Sequence, residues 1–163
     1  MCIYRSFVFT CLAGILLFPV TAPVQAENLS HDKHADAHHH FGVSQLQLNH
    51  GEKWQTDAPL RNGMQHIYDA AMKATSAYHA KKLSAADANS LVSHINEQIQ
   101  YMISHCKLEP QEDGVLHVLI GELLEGAEAL KKDPLATEGL PRIIRALNTY
   151  PQYFEHPGWV EQH

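Results

Sequence analysis

The chain has 163 residues, with 12 Lys/Arg against 18 Asp/Glu and a formal net charge of −6 with its histidines neutral. That mild acidity argues against nucleic acid and anionic lipid surfaces as partners, because both select basic patches. Thirteen histidines are the outlier in the composition, and every one lies beyond residue 26.

Residues 1–26 read as a secretory signal peptide. "MCIYR" supplies one positive charge, at Arg5, and "SFVFTCLAGILLFPV" is an apolar run shorter than the roughly 20 residues that span a bilayer. "PVQA" then ends on a small residue, which places cleavage after Ala26. Thr10 and Phe9 before Cys11 do not suit a lipoprotein signal. The expected product is exported to the periplasm, with no membrane span after signal cleavage. It retains 11 Lys/Arg against 18 Asp/Glu, and its only thiol is Cys106, so an intramolecular disulfide is ruled out.

Residues 27–53 read as a disordered His-rich arm. "HDKHADAHHH" carries His31, His34, His38, His39 and His40 on a stretch with too little apolar surface to pack. Clustered imidazoles on such a chain chelate Zn, Cu or Ni without one fixed geometry. "VSQLQLNHGEKW" spaces Val43, Leu46, Leu48 and Trp54 loosely, as a short extended piece or a segment lying across the domain.

Residues 54–163 carry four amphipathic periodicities. The first helix is expected over about 60–81, with Leu60, Met64, Ile67, Ala71, Thr75 and Tyr78 on its inner face, Pro59 in the first turn and Asp57 as cap. The second is capped by Ser84, with Asp87 partly mimicking a capping box. Its stripe is Ala88, Leu91, Ile95, Ile99, Met102 and Cys106. It stops at "KLEPQEDG", which Pro110 and Gly114 punctuate.

The third, about 112–132, shows Leu116, Leu119, Ile120, Leu123, Ala127 and Leu130. The fourth begins near "TEGLPR" and shows Leu140, Ile143, Ile144, Leu147, Tyr150 and Phe154, with Pro151 expected to kink or interrupt its last turn. "HPGW" ends it. The fold class implied is all-α, an antiparallel up-down-up-down four-helix bundle with short connections.

Three places carry candidate chemistry. Met64 lies on a buried stripe, where methionine ordinarily fills core space. "ISHCKLEP" sets Cys106 beside His105, with His117 early in the next helix. A thiolate and imidazoles from two helix ends suit Cu(I) or Zn(II), and a thioether such as Met102 favours Cu(I). The histidine arm is the third.

A reactive cysteine would need a base and an oxyanion hole, and the chain has neither a nucleophile elbow nor a Gly-rich phosphate loop. The pattern therefore points away from an enzyme. His66, His79 and His94 sit one step off their stripes and are expected in solvent. Glu122, Glu125 and Glu128 are expected to form an acidic face.

"PLRNGMQHIYDAA", "LIGELLEGAEALKKD" and "IIRALNTYPQYFEH" resemble the soluble periplasmic cytochromes b of the b-562 type. That resemblance implies non-covalent b-type haem with Met64 and His156 as axial ligands, serving electron transfer with a periplasmic redox partner. His156 falls nine residues after Leu147, on the far side of an ideal helix at about 100° per residue. Distortion at Pro151 and Pro157 is needed to bring it round. No Cys-x-x-Cys-His is present, which excludes covalent haem as in the related cytochrome c-prime bundles.

The blocks "LNHGEKWQTDAPLRNGM", "CKLEP" and "HPGW" also resemble a group of exported bacterial proteins, which implies the fold and the compartment. The function expected is thus metal or haem binding for metal handling or electron transfer. The alternative is a cofactor-free helical module that contacts an envelope protein through Trp54, Tyr153, Phe154 and Trp159.

Overall fold

A computed structural model describes residues 46–159. The expected leader, the arm histidines His31, His34, His38, His39 and His40, and His163 lie outside the described residues. Four helices form: α1 (Ala58–His79), α2 (Ala85–His105), α3 (Pro110–Lys132) and α4 (Leu140–Tyr153). Among the described residues the only β-type pairings are two isolated bridges. The helices pack as a bundle, α1 on α2, α2 on α3, α3 on α4, and α4 back on α1.

Local chemistry sets the helix starts. The Leu60 N–H donates to Asp57 Oδ1 at 2.9 Å, with Pro59 in the first turn. Ser84 Oγ accepts from the Asp87 N–H at 3.1 Å and donates to Asp87 Oδ2 at 2.6 Å. Each such cap satisfies a donor the helix cannot. α3 starts two residues earlier than its periodicity suggests, because Pro110 is itself helical and the Glu112 carboxylate accepts the Glu109 N–H at 3.3 Å. Gly114 consequently lies inside α3 and does not punctuate. Pro151 does not stop α4, which runs on to Tyr153 before Phe154 turns extended.

The stripes close on one core. Leu60, Met64, Ile67, Ile95, Met102, Leu123, Ile143, Leu147, Tyr150 and Phe154 are fully enclosed or nearly so. Burying each of the larger ones contributes about 1.5–3 kcal/mol. Thr75, Tyr78 and Ile144 are only half-buried, and Ala146 takes the inward place beside Leu147. α3 and α4 approach closely at Gly126, where an added Cβ would stand 2.8 Å from Ile143 Cγ1 and 3.2 Å from the Gly139 carbonyl oxygen. At Gly63 of α1 a Cβ would stand 2.7 Å from the Met102 sulfur, so α2's methionine lies over bare backbone.

The packed chain begins before Trp54, within the segment expected to be the arm. Leu46 and Trp54 are both buried. Between them a tight turn pairs Asn49 with Glu52 through two backbone bonds of 2.8 and 2.9 Å. His50 and Gly51 both take positive φ, 51° and 95°, the conformation of a two-residue hairpin turn. The Trp54 indole N–H donates to the Gln47 carbonyl at 2.7 Å. Trp54 then bridges Phe154 in parallel, through Trp54 N–H to Tyr153 O at 2.7 Å and Glu155 N–H to Trp54 O at 2.8 Å.

Candidate functional site

Three segments far apart in sequence meet in one cluster: 54–61 before and within α1, 106–112 between α2 and α3, and 150–159 at the end of α4. Asp57 connects the first two. Its Oδ1 caps α1, its Oδ2 accepts the Lys107 N–H at 2.8 Å, and its carboxylate accepts the Cys106 thiol proton. Thr56 Oγ1 donates to the Glu155 carbonyl at 2.6 Å, joining the first and third. The Arg61 guanidinium donates to the Thr56 carbonyl and, at 3.1 Å, to Thr56 Oγ1.

Aromatic rings complete the cluster. The Trp159 ring lies 4.9 Å from Tyr68 of α1, 5.0 Å from Tyr150 of α4 and 5.1 Å from His156. It therefore covers the α1–α4 seam. Tyr150 stacks on Phe154 at 5.2 Å, and its hydroxyl meets His156 Nδ1 at 3.1 Å. Two polar atoms of the cluster are buried without a hydrogen-bond partner, Glu112 Oε1 and Trp159 Nε1.

Burial disfavours the charged forms of Cys106, Tyr150, Glu112 and His156. Burial, then the Asp57 charge and hydrogen bond, push the Cys106 thiol up to about 12. Such a thiol is protonated at neutral pH and is a poor nucleophile or metal ligand. Burial also raises Tyr150, against the opposing pull of Arg61. Burial raises Glu112 too, with the Glu109 N–H opposing it. His156 is held below its ordinary value near 6.5, first by burial and then by Arg61. Each direction favours the neutral form of its group: Cys106, Tyr150 and Glu112 hold their protons more tightly, and His156 gives its proton up more readily.

The expected ligand sets fare differently. Cys106, His105 and His117 do not converge. His105 and His117 are exposed, and each places Nδ1 on a carbonyl of its own helix, Tyr101 O at 2.8 Å and Asp113 O at 2.9 Å. Among the described residues no three His, Cys, Asp or Glu side chains are grouped to hold a metal ion.

Met64 is fully enclosed and fills core space. His156 does come round from the far side of α4. The helix ends at Tyr153, and the ring turns in to meet Tyr150. Met64 has no exposed surface and the Trp159 ring packs on His156 at 5.1 Å, so a porphyrin held between Met64 and His156 would need the packing around both residues to open.

Sequence periodicity misses a second polar feature. Glu122 and Glu125 of the expected acidic face clamp Arg142 of α4. Arg142 Nε donates to Glu122 Oε2 at 2.8 Å and its NH2 group to Glu122 Oε1 at 3.2 Å, with Glu125 as a further partner. An arginine two residues into a helix, opposite a Glu-x-x-Glu pair, is the signal that could have found it. His66 and His94 are expected apart in solvent, yet they face each other across α1 and α2 with ring centroids 6.5 Å apart.

Among the described residues no helix is long and apolar enough to cross a membrane. Comparison with family models, curated proteins and solved structures finds no match for the chain.

Proposed function

We propose that the chain is an exported helical bundle that handles a transition-metal ion, copper or zinc, at its surface and through its arm rather than in its core. The observation that carries this reading is where the imidazoles lie. His50, His66, His79, His105 and His117 are exposed, His94 and His156 are half-buried, and the enclosed core is apolar. Surface imidazoles bind and release borderline divalent ions readily. His31, His34, His38, His39 and His40 would add a loose, high-capacity chelator on the same chain.

The antiparallel up-down-up-down order is part of this reading, supported by the closed circuit of helix contacts and the short connections. Export to the periplasm rests on the leader at 1–26.

The test is equilibrium dialysis of the full chain against Zn(II) and Cu(II). A variant with the five arm histidines changed to Asn should bind at least twofold fewer ions per chain than wild type. Equal uptake, or none by wild type, overturns the reading.

The closed core also favours a second reading, a cofactor-free module that contacts an envelope protein. Two of its four expected anchors, Trp54 and Phe154, are buried within the domain, while Tyr153 and Trp159 are half-buried. Ile103, 58% exposed on α2, is the apolar side chain most open to a partner among the described large hydrophobics.

A further inference from the structure

The geometry points to a divalent-metal site formed by His66 of α1 and His94 of α2, which clips the two helices together. The two rings stand 6.5 Å apart, centroid to centroid, tilted by 52°. A metal about 2.0–2.1 Å from one nitrogen of each ring sets the centroids roughly 5–6 Å apart, so about 1 Å of closing is needed. His66 is exposed and His94 half-buried, and a small change in side-chain torsion supplies that movement.

Further observations favour a ligand here. Gln98, one turn after His94 on α2, places Oε1 3.1 Å from His66 Nδ1. A carbonyl oxygen only accepts, so Nδ1 carries the proton and Nε2 presents its lone pair. This is how an outer hydrogen bond fixes the tautomer of a metal-binding histidine. Both rings also line one hollow of about 640 Å³, together with Asp69, Lys73, Asp87 and Ser90. The two carboxylates outweigh the single lysine, so the hollow favours a cation.

Two imidazoles with no grouped third His, Cys, Asp or Glu among the described residues leave the remaining positions to water. The ions that accept such a set are Zn(II), Cu(II) and Ni(II). An open coordination shell makes binding exchangeable, suited to passing an ion on rather than storing it.

The site rests on the metal-handling reading and deepens it, but the two are tested separately. The arm is chelating whether or not the domain is folded, so metal on the arm alone leaves the folding equilibrium unmoved. The His66–His94 pair exists only in the folded chain, so metal there stabilises by mass action. Thermal unfolding of the full chain is followed with increasing Zn(II).

Wild type should show a rising Tm, and so should the variant lacking the five arm histidines. His66→Asn and His94→Asn should each lose the rise, while His79→Asn, outside the hollow, should keep it. No rise in wild type, or a rise retained in both single variants, overturns the site. Loss of uptake on removing the arm bears on the broader reading alone.

Discussion

Arg142 and Cys106 both place polar chemistry against an apolar bundle, and they solve the problem of burial in opposite ways. Around Arg142 the charge is kept and paired. Glu122 and Glu125 reach it from α3, and the Arg142 and Glu122 side chains are only 20% and 16% exposed. Around Cys106 the protons are kept instead: thiol, phenol and the Glu112 carboxyl are all pushed toward their protonated forms. Removing Arg142 strands a mostly buried carboxylate, whereas removing the Asp57 carboxylate strands only neutral donors, the Lys107 N–H and the Cys106 thiol. The two regions should therefore respond to mutation very differently.

The largest effect should come from breaking the clamp. Arg142→Ala leaves Glu122 desolvated and unpaired, and should cost about 3 kcal/mol in urea-induced unfolding. Arg142→Met together with Glu122→Leu removes both charges and should recover most of that loss. If the single variant costs no more than an exposed ion pair does, under about 1 kcal/mol, the clamp is ordinary surface electrostatics and the contrast disappears.

Next in size is Asp57→Ala. It removes the α1 cap and leaves the Lys107 N–H and the Cys106 thiol without their acceptor. About 2 kcal/mol is expected, roughly half from the cap and half from the stranded donors. The thiol should also move back toward its ordinary range, so maleimide labelling at pH 8 should speed up in the folded variant.

The smallest effect is a slope. His156 titrates below its ordinary 6.5 in the folded chain, so below that pH the unfolded chain takes up a proton first. Its contribution to stability is therefore complete above 6.5 and declines as pH falls through the folded value. His156→Asn should remove that part of the decline in a stability series from pH 8 to 5. An unchanged slope would mean the imidazole is solvated in solution and the cluster is more open than described.

Much of the bundle is legible in sequence because helical periodicity is local. Ser84, Asp57 and the stripe from Ala88 to Met102 need no knowledge of partners. What periodicity does not encode is which faces meet. Asp57 reaches Lys107 across 50 residues and Thr56 reaches Glu155 across 99. Neither pairing has a local signature.

The same blindness shows Glu122 and Glu125 as an acidic face without their arginine and leaves His66 and His94 unpaired. Leu46 falls within the expected arm because a buried residue ahead of a turn looks like any isolated leucine in a polar stretch. Gly114 misleads for a different reason. A glycine after a proline reads as a break, but the capping contact between Glu109 and Glu112 has already committed the chain to helix.

The parallel bridge between Trp54 and Phe154 has a mechanical consequence. Tension applied between the arm and the tail would load its two backbone bonds together, before any helix is strained. The bridge also closes a loop of about 100 residues, whose entropic penalty grows only with the logarithm of its length. It should form late in folding and, under load, act as the domain's fuse.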